Sequence, residues 1–450
     1  MTMAQALNLG CLCSTLQRDL LQARMDARLR AQAQQLATTH PHLFSVAPVF
    51  ISAEDEGRIE TAVAALHRTA ALPGYREAAL ARAPGIARHE FGPLGVFMGY
   101  DFHLTAAGPR LIEINTNAGG ALVHATAASA HRACCSPADS RFGVDPDLRE
   151  FDRAVVGMFL AEWSAQRGTQ PLRTIAIVDD APATQYLAPE FSLVRLLFVS
   201  HGIAAVVADP RELVWRDGAL WHPALPVDTP VDLAYNRLTD FDLSATGHEA
   251  LRAAYEAGAA VVTPHPRAHA LHADKRNLVV LCDDAQLAAW GAPAQDREVL
   301  RAVVPRTELV TPDNAERLWS ERRRLFFKPT GGYGSRAAYR GDKLTRRVWS
   351  EIAAGGFVAQ ALVPPSERIV DVDGQATRLK LDVRAYAHAG QVQLLAARTY
   401  AGQTTNFRTA GGGFSPVVVL PSGRWASADC RSSPACATAD AAAAEITAAS

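Results

Sequence analysis

Short, nearly continuous apolar runs alternate with amphipathic stretches through the middle of the chain. The run 173–180 (RTIAIVDD) is typical of a parallel strand that is buried on both faces of its sheet. Further strands are predicted at 203–208, 231–235 and 261–263, with helices at 151–168, 190–201 and 249–258. Strands that alternate with helices in this way predict a layered α/β unit over about residues 170–265.

The two flanking regions show other patterns. Residues 1–90 predict mostly helices. Within them, Ser52 followed three residues later by Asp55 resembles a capping box, the signal that starts a helix. Residues 357–420 contain several runs typical of antiparallel strands. The pattern therefore divides the chain into a helical start, an α/β centre and a strand-rich end.

Composition and charge exclude several classes of protein. The 450 residues suggest about three domains at ~150 residues each, and 48% apolar content supports sizeable cores. A formal net charge of -1, from 45 basic and 46 acidic residues, excludes a strongly basic nucleic-acid binder. No apolar run approaches the ~18 residues of a membrane helix. Seven cysteines, an odd number in a long chain, predict a reducing, cytoplasmic location.

Three polar side chains share one face of a predicted hairpin. The sequence 99–120 (GYDFHLTAAGPRLIEINTNAGG) predicts a strand, a turn and a second strand. Glu113 and Asn115 are two residues apart, so they leave the same face, and Asp101 on the partner strand can lie opposite them. Carboxylate and amide oxygens suit Mg²⁺. The alternative is a solvated acidic face, which the apolar neighbours of Glu113 weaken because a buried carboxylate needs a partner.

A glycine-rich turn follows an apolar strand at 326–335 (FFKPTGGYGS). Lys328 ends the strand, and Gly331, Gly332 and Gly334 follow, with Ser335 after them. Such a turn lets backbone N–H groups approach phosphates that a lysine neutralises. It is neither a P-loop nor G-x-G-x-x-G. As a bare motif it is more often a hairpin turn, and that alternative stays open.

Further candidates are individually weak. Lys275 begins a predicted helix, and alone it reads as a surface lysine. Gln360 lies on an apolar strand (FVAQALV) that could present backbone groups to an adenine, or could simply be core. Arg384 and Arg398 alternate with apolar residues on neighbouring strands, and with Asn406 they would make an anion-binding floor. The same alternation is normal for any half-exposed sheet.

Cysteines and histidines add less. The pair Cys134-Cys135 lacks C-x-x-C spacing and is interpreted as inert thiols. The histidine-rich segment 265–272 (HPRAHALH) leads directly into Lys275, so it is a candidate for lining the same cleft. A zinc site there is the less favoured reading, because no companion carboxylate motif accompanies it.

Taken together, these motifs resemble a known family. From Asp274 to Val418, ADKRNLVVL, LFFKPTGGYGS, FVAQALV and LDVRAY resemble the nucleotide-binding part of the ATP-grasp ligases. The family's D…E-x-N metal strands lie near the N-terminus here, as Asp101, Glu113 and Asn115. The chain is therefore similar to the circularly permuted ATP-grasp proteins, a group that includes the glutathionylspermidine synthetases.

The resemblance implies a fold of the α+β / α/β class. It would be an ATP-grasp fold in circularly permuted order, with an α/β pre-ATP-grasp domain and a helical N-terminal segment. The implied divisions are a helical segment (1–90), permuted metal-binding strands (91–150), a pre-ATP-grasp substrate domain (151–270), nucleotide-binding lobes (271–425) and an Ala-rich tail (426–450).

The resemblance also implies an activity. The chain would be an ATP-dependent carboxylate–amine ligase that works through an acyl-phosphate, with Mg²⁺ or Mn²⁺. Its partners would be small carboxylate and amine substrates, with no nucleic acid and no membrane, and a homodimer stays open. An ATP-dependent phosphotransferase and a non-catalytic nucleotide-binding module are the alternatives.

Site residues follow from the same resemblance. Metal ligands would be Asp101, Glu113 and Asn115. Nucleotide contacts would be Lys275, Lys328, Gly331, Gly332, Gly334, Ser335, Gln360, Leu362 and Asn406. One departure is Gly99, because such ligases often carry an arginine there, two residues before the metal-strand aspartate. Its role in contacting the transferred phosphoryl group would fall to Arg384, Arg398 or Arg336.

Overall fold

The computed structural model describes residues 2–12, 15–16, 18–29, 40–131, 148–332 and 337–421. Within these residues the chain forms three larger sheets and one two-stranded ribbon, with helices packed around them. Several predictions lie outside the described residues: those for Gly334, Ser335, Arg336, Cys134, Cys135 and the tail 426–450.

The elements of the described residues have the following bounds. The strands are β1 (Val49–Ser52), β2 (Met98–Thr105), β3 (Gly108–Asn115), β4 (Thr174–Val178), β5 (Ala204–Ala208), β6 (Val214–Arg216), β7 (Ala219–Trp221), β8 (Leu233–Asn236), β9 (Val261–Thr263), β10 (Thr307–Leu309), β11 (Leu325–Pro329), β12 (Tyr339–Arg340), β13 (Phe357–Ala361), β14 (Ser366–Val372), β15 (Gln375–His388), β16 (Gln391–Tyr400) and β17 (Gly413–Leu420). The α-helices are Met3–Gly10, Arg18–Leu29, Ala53–Ala70, Pro73–Ala81, Ala121–Ala128, Leu148–Arg167, Ala188–Ser200, Glu249–Glu256, Pro266–Ala268, Arg276–Val280, Asp284–Ala289, Ala294–Val303, Ala315–Glu321 and Arg346–Ala353. A π-helical turn spans His269–Ala273, and 3-10 turns span Gly85–Arg88, Pro182–Thr184, Pro210–Glu212, Arg322–Arg324 and Gly341–Lys343.

The largest sheet has seven strands in the order β1-β17-β16-β15-β2-β3, with β14 also paired to β15. The hairpin β2–β3 pairs antiparallel with β15, so Asp101 lies opposite Arg384. On the other side of β2, Asp101 lies opposite Glu113. Side chains that face each other across neighbouring strands share one face of the sheet. Residues far apart in the chain therefore form one polar row.

The first 90 residues, predicted to be mostly helical, also contain one short strand among the described residues. Residues Val49–Ser52 form β1, which pairs parallel with β17 at the edge of the large sheet. Four residues (VFIS) are too short to show a strand period. The predicted helix start is confirmed, because Ser52 Oγ accepts from the Asp55 N–H at 3.0 Å and caps a helix that runs from Ala53 to Ala70. The side chain of Asp55 accepts from Ser52 Oγ, so the pair lacks the backbone bond that would complete a capping box. That helix packs against the large sheet.

The predicted α/β unit is confirmed. Strands β4, β5, β8 and β9 form a parallel sheet in the order β5-β4-β8-β9, with Thr174–Val178 buried along its whole length. Helices Leu148–Arg167 and Ala188–Ser200 contribute to the same core. The run of β4, apolar apart from Thr174, is typical of a strand that is covered on both faces of its sheet.

A small sheet completes the architecture. Its order is β10-β13-β11-β12, all antiparallel, and Trp349 and Ile352 of the helix Arg346–Ala353 help to close its own core. Strand β11 carries Lys328, and β13 carries Gln360. Lys328 contacts the large sheet at the Ile112 carbonyl of β3, and Gln360 contacts Lys328. Among the described residues no helix is long and apolar enough to cross a membrane.

Candidate active site

A cleft lies between the large sheet and the small sheet. It contains about 1240 Å³ of space outside the protein atoms, part of it open to solvent. Of the residues predicted from the sequence, it is lined by Asp101, Glu113, Asn115, Lys275, Lys328, Gly332, Gln360, Leu362 and Arg398.

The large-sheet wall of the cleft carries a network of paired charges. Arg384 donates to both Asp101 oxygens, from Nε at 2.6 Å and from a terminal nitrogen at 2.7 Å. Arg398 bridges two carboxylates, reaching Asp101 at 2.9 Å and Asp382 at 2.7 Å. Thr405 donates a further hydrogen bond to Asp382 at 2.5 Å. Asp101, Asp382 and Arg384 are buried, and the Arg398 side chain is 11% exposed. Within the network the four charges sum to zero.

The electrostatics of Asp101 follow from this pairing. Burial alone would raise its pKa, but the guanidinium groups of Arg384 and Arg398 lower the pKa below its ordinary value. The carboxylate therefore stays ionised although it is buried. Because its oxygens already accept from two arginines, Asp101 is less free than its neighbours to bind a metal.

The packing around Gly99 explains the missing arginine. A Cβ atom at this position would lie 2.5 Å from the Ala118 methyl group and 3.3 Å from Arg384 Nε. Real Cβ atoms do not approach another atom to 2.5 Å, so Ala118 excludes a side chain on β2. The Arg384 side chain from β15 lies over the same spot. Position 384 thus supplies a guanidinium group beside Gly99.

Glu113 and Asn115 form the metal-binding candidate. The Asn115 amide donates to Asp101 at 3.2 Å and to Glu113 at 3.3 Å, so it lies between two carboxylates. Turning the amide about its last bond would present its oxygen at that place, and the oxygen and nitrogen of an amide are assigned from their partners. Two carboxylates and one amide oxygen fit Mg²⁺, with phosphate oxygens as further ligands. Among the described residues no cluster of three or more His, Cys, Asp or Glu could hold a metal without such help.

Lys328 crosses the cleft from the small sheet to the large one. Its ammonium donates to the Ile112 carbonyl at 2.7 Å and to Gln360 Oε1 at 2.9 Å, both neutral acceptors. Burial lowers the pKa of Lys328 to about 8, although the nearby carboxylate of Glu113 opposes the shift. A buried ammonium without an ion-pair partner is costly. Lys328 is thus placed for an anion that the protein itself does not provide.

Lys275 holds the glycine-rich turn from the other side. Its Nζ donates to the Gly332 carbonyl at 3.2 Å, and its backbone N–H donates to the Thr330 carbonyl at 3.1 Å. Gly332 has φ of +108°, a conformation that strongly favours glycine. Gly331 lies beside it but is not among the residues that line the cleft. The two predicted lysines are therefore brought to the same cleft.

On the strand predicted to contact adenine, hydrogen bonds within the protein already occupy the Gln360 side chain and the Leu362 N–H. Gln360 is buried, and its amide donates to Thr307 at 3.4 Å while its oxygen accepts from Lys328. The Leu362 N–H donates to the Arg324 carbonyl at 2.8 Å. An adenine contact at Leu362 would therefore use its carbonyl or side chain, not its N–H.

Other residues differ from the sequence prediction. Asn406 does not line the cleft, because its amide donates to the Ala401 carbonyl at 2.7 Å and its oxygen accepts from the Arg408 N–H at 3.0 Å. It orders the loop between β16 and β17 instead. Arg384 lies behind Asp101 rather than in the lining. The segment 265–272 lines a different cavity, and no zinc cluster is found among the described residues.

The sequence also missed several side chains of the cleft. His103 lies two residues after Asp101, and one ring nitrogen contacts the Val363 carbonyl at 2.8 Å. Burial lowers the pKa of His103, which keeps it neutral. Lys380, Asp382 and Thr405 also line the cleft. His103, Lys380 and Asp382 share the period-2 face of Asp101 or Arg384, and that signal would have identified them.

Comparisons with known proteins bear on the fold. No family model and no curated protein matches the chain. It is similar to the solved structure of a glutathione synthetase-like effector from Globodera pallida, with 12% identity, 91% of this chain and 100% of that chain covered, and a TM-score of 0.56. A putative gamma-glutamylcysteine synthetase from Methylobacillus flagellatus matches with 10% identity over 88% of this chain and 95% of that chain, at a TM-score of 0.44. The ATP-grasp ligase PsnB complexed with minimal precursor, Mg and ADP matches with 16% identity. The match covers 61% of this chain and 98% of that chain, with a TM-score of 0.28. At this level of identity the comparison bears on the fold alone, and the chain shares the fold of the glutathione synthetase-like effector.

Proposed function

We propose that the protein is an ATP-dependent carboxylate–amine ligase. The observation that carries the proposal is the composition of the cleft, where two lysines, a carboxylate–amide cluster and an arginine meet from distant parts of the chain. Lysines neutralise phosphates, and hard oxygens hold the Mg²⁺ that accompanies them. Substrates that carry a carboxylate and an amine are the partners that this chemistry implies.

ATP and Mg²⁺ would be bound by different walls. Lys275, Lys328 and the turn at Gly332 would hold the phosphates, and Gln360 would support Lys328. Glu113 and Asn115 would hold Mg²⁺, with Asp101 beside them, and Mn²⁺ is the expected substitute. Bound Mg²⁺ supplies charge neutralisation at the phosphate oxygens.

The two arginines would have different roles. Arg398 lines the cleft, so it would stabilise negative charge on the transferred phosphoryl group and on the tetrahedral centre that follows. Arg384 would act as a positioning residue, because it holds both oxygens of Asp101. In the reaction, the substrate carboxylate attacks the γ-phosphorus and ADP leaves, giving an acyl-phosphate. The amine then displaces phosphate and leaves an amide.

The chain order of this ligase would be circularly permuted. Support comes from the pairing of β2–β3 with β15, in which the hairpin with Asp101, Glu113 and Asn115 precedes its neighbour by more than 250 residues. Permutation is physically tolerable, because chain ends usually lie at the surface of a domain. The parallel sheet of the α/β unit would then belong to the substrate side.

A two-stage experiment tests the proposal. Mg-ATP at about 100 times its dissociation constant should stabilise the fold by about 2.7 kcal/mol, seen as a raised melting temperature. ADP release is then screened with amino acids, dipeptides and polyamines offered in pairs. An unmoved melting temperature argues against nucleotide binding. A stable phosphorylated product would instead identify a phosphotransferase, and stabilisation without ADP would identify a binding module.

A further inference from the structure

A second cavity lies apart from the cleft, where the segment 88–94 meets the segment 265–272 and two helices. It contains about 580 Å³ of space outside the protein atoms, roughly half the 1240 Å³ of the cleft. Its polar lining consists of His67, Arg76, Glu90, His265, Arg267 and His272. None of these residues lines the cleft. The histidine-rich motif of the sequence thus belongs to this cavity.

The charges around the cavity do not balance. Glu90 accepts from Arg76 at 3.2 Å and from Arg267 at 2.7 Å, so one carboxylate serves two guanidinium groups. In addition, Arg76 Nε is buried and has no hydrogen-bond partner among the described residues. Buried donors are nearly always paired, and an unpaired donor on a cation is the most costly kind. Arg76 Nε is therefore a donor on a cation that no described residue satisfies, at the edge of a cavity.

Imidazole rings supply further donors. His265 is already committed, since one ring nitrogen contacts the Pro93 carbonyl at 2.9 Å and the other accepts from the Ala268 N–H at 3.1 Å. The rings of His67 and His272 neither donate a hydrogen bond to a described residue nor accept one from it. Burial lowers the pKa of His67, and it lowers the pKa of His272 to about 3. Each ring is thus neutral and can donate one N–H.

We propose that this cavity is a binding site for a small oxyanion, the carboxylate or phosphate group of a ligand smaller than ATP. Arg76 and Arg267 supply the charge, and His67 and His272 supply neutral donors. Glu90 competes with the ligand for both arginines. The site is independent of the nucleotide cleft, although its histidine-bearing segment continues into Lys275, three residues after His272.

Isothermal titration of the full chain tests the proposal, with inorganic phosphate in one series and citrate in another. Glu90→Gln should bind more tightly by about tenfold, because the competing carboxylate is lost. Arg76→Gln should bind more weakly by about tenfold, for loss of one charge-assisted donor. The exposed Arg323→Gln is the matched control and should bind as the wild type does. A repeat titration in the presence of Mg²⁺ and a non-hydrolysable ATP analogue, which would fill the cleft, should leave anion binding at this cavity in place.

The gain expected for Glu90→Gln keeps the test independent of folding, since a misfolded variant does not bind more tightly. Binding of phosphate alone or of citrate alone supports the site and identifies the group it takes. Three results would overturn the proposal: no binding of either anion at millimolar concentration, unchanged or weaker binding by Glu90→Gln, or loss of binding in the presence of the ATP analogue, which would place the anion in the cleft.

Discussion

The two walls of the cleft treat buried charge in opposite ways. On the large sheet, Asp101 and Asp382 pair with Arg384 and Arg398 inside the wall itself, at 2.6 to 2.9 Å. On the small sheet, Lys328 is equally buried but contacts only neutral oxygens. The four charges of the large-sheet network are paired with one another without a ligand, whereas the charge of Lys328 has no ion-pair partner.

This difference separates stability from binding. A buried charge network stabilises the fold only while every member keeps its partner. A buried lysine with neutral partners lowers the stability of the free protein, and it gains most when an anion arrives. Variants of the paired network, Asp101, Asp382, Arg384 and Arg398, should therefore act on unfolding, whereas variants of Lys328 should act on nucleotide affinity.

The largest effect should come from Asp101→Asn. Removing this charge leaves two buried arginines with one remaining carboxylate, so the free energy of unfolding should fall by about 3–5 kcal/mol. Urea denaturation measures it. Glu367→Gln is the control, because its pair with Arg378 is 41% and 47% exposed and should contribute less than about 1 kcal/mol. Equal midpoints for the two variants would show that the wall is not a stabilising network.

Glu113→Gln tests the open part of the same wall. It keeps the shape but removes one charge from the Mg²⁺ candidate, so ADP production should fall by about 10²–10³-fold. The urea midpoint should stay near that of the wild type, since no described ion pair is lost. Partial rescue by Mn²⁺ or by high Mg²⁺ is expected. Full activity would remove Glu113 from the site; Glu77→Gln, on an exposed helix position, is the control.

Lys328→Met should show the reverse pattern. The apolar chain keeps the volume and removes a buried charge, so the free energy of unfolding should be unchanged or higher. ATP affinity should fall by about 10–100-fold, for the loss of one charge-assisted contact. Calorimetric titration with a non-hydrolysable ATP analogue measures this. Lys343→Met, an exposed lysine, is the control, and normal affinity in Lys328→Met would contradict the phosphate role.

A smaller effect is expected from pH. Lys328 loses its proton near pH 8 in the free folded protein, but near about pH 10.4 in the unfolded chain. Between these values the unfolded chain binds more protons, so this lysine makes stability rise with pH. Nucleotide affinity should change in the opposite sense, falling by up to about tenfold per pH unit above 8. Lys328→Met should flatten the pH dependence of both stability and nucleotide affinity. Unchanged pH dependence in this variant would contradict the lowered pKa of Lys328.

The fold was predictable where the signal is local. Strands β4, β5, β8 and β9 match the prediction closely, because each is a short run dominated by apolar residues that can be recognised without knowing its partner strand. Strand β1 was missed, because it has four residues and its partner β17 begins more than 350 residues later. Local sequence carries no information on such a pairing.

Candidate site residues divide in the same way. The spacing of Glu113 and Asn115 fixes their shared face, since side chains alternate along a strand. The roles of Asn406 and Leu362 could not be predicted from the sequence. They depend on hydrogen bonds to other parts of the fold, from the Asn406 amide to the Ala401 carbonyl and from the Leu362 N–H to the Arg324 carbonyl. The space over Gly99 is likewise a property of neighbouring elements.

The sequence by itself determined the chemical inventory of this protein: two lysines, a carboxylate–amide pair and two arginines, each on a strand or turn of recognisable type. Only the tertiary structure decided which of them pair with each other and which face open space. The register of β15 against β2 neutralises Asp101 with Arg384, whereas the crossing of Lys328 to the large sheet gives it neutral partners. Charge pairing acts over a few ångströms in space, and distance along the chain does not encode it.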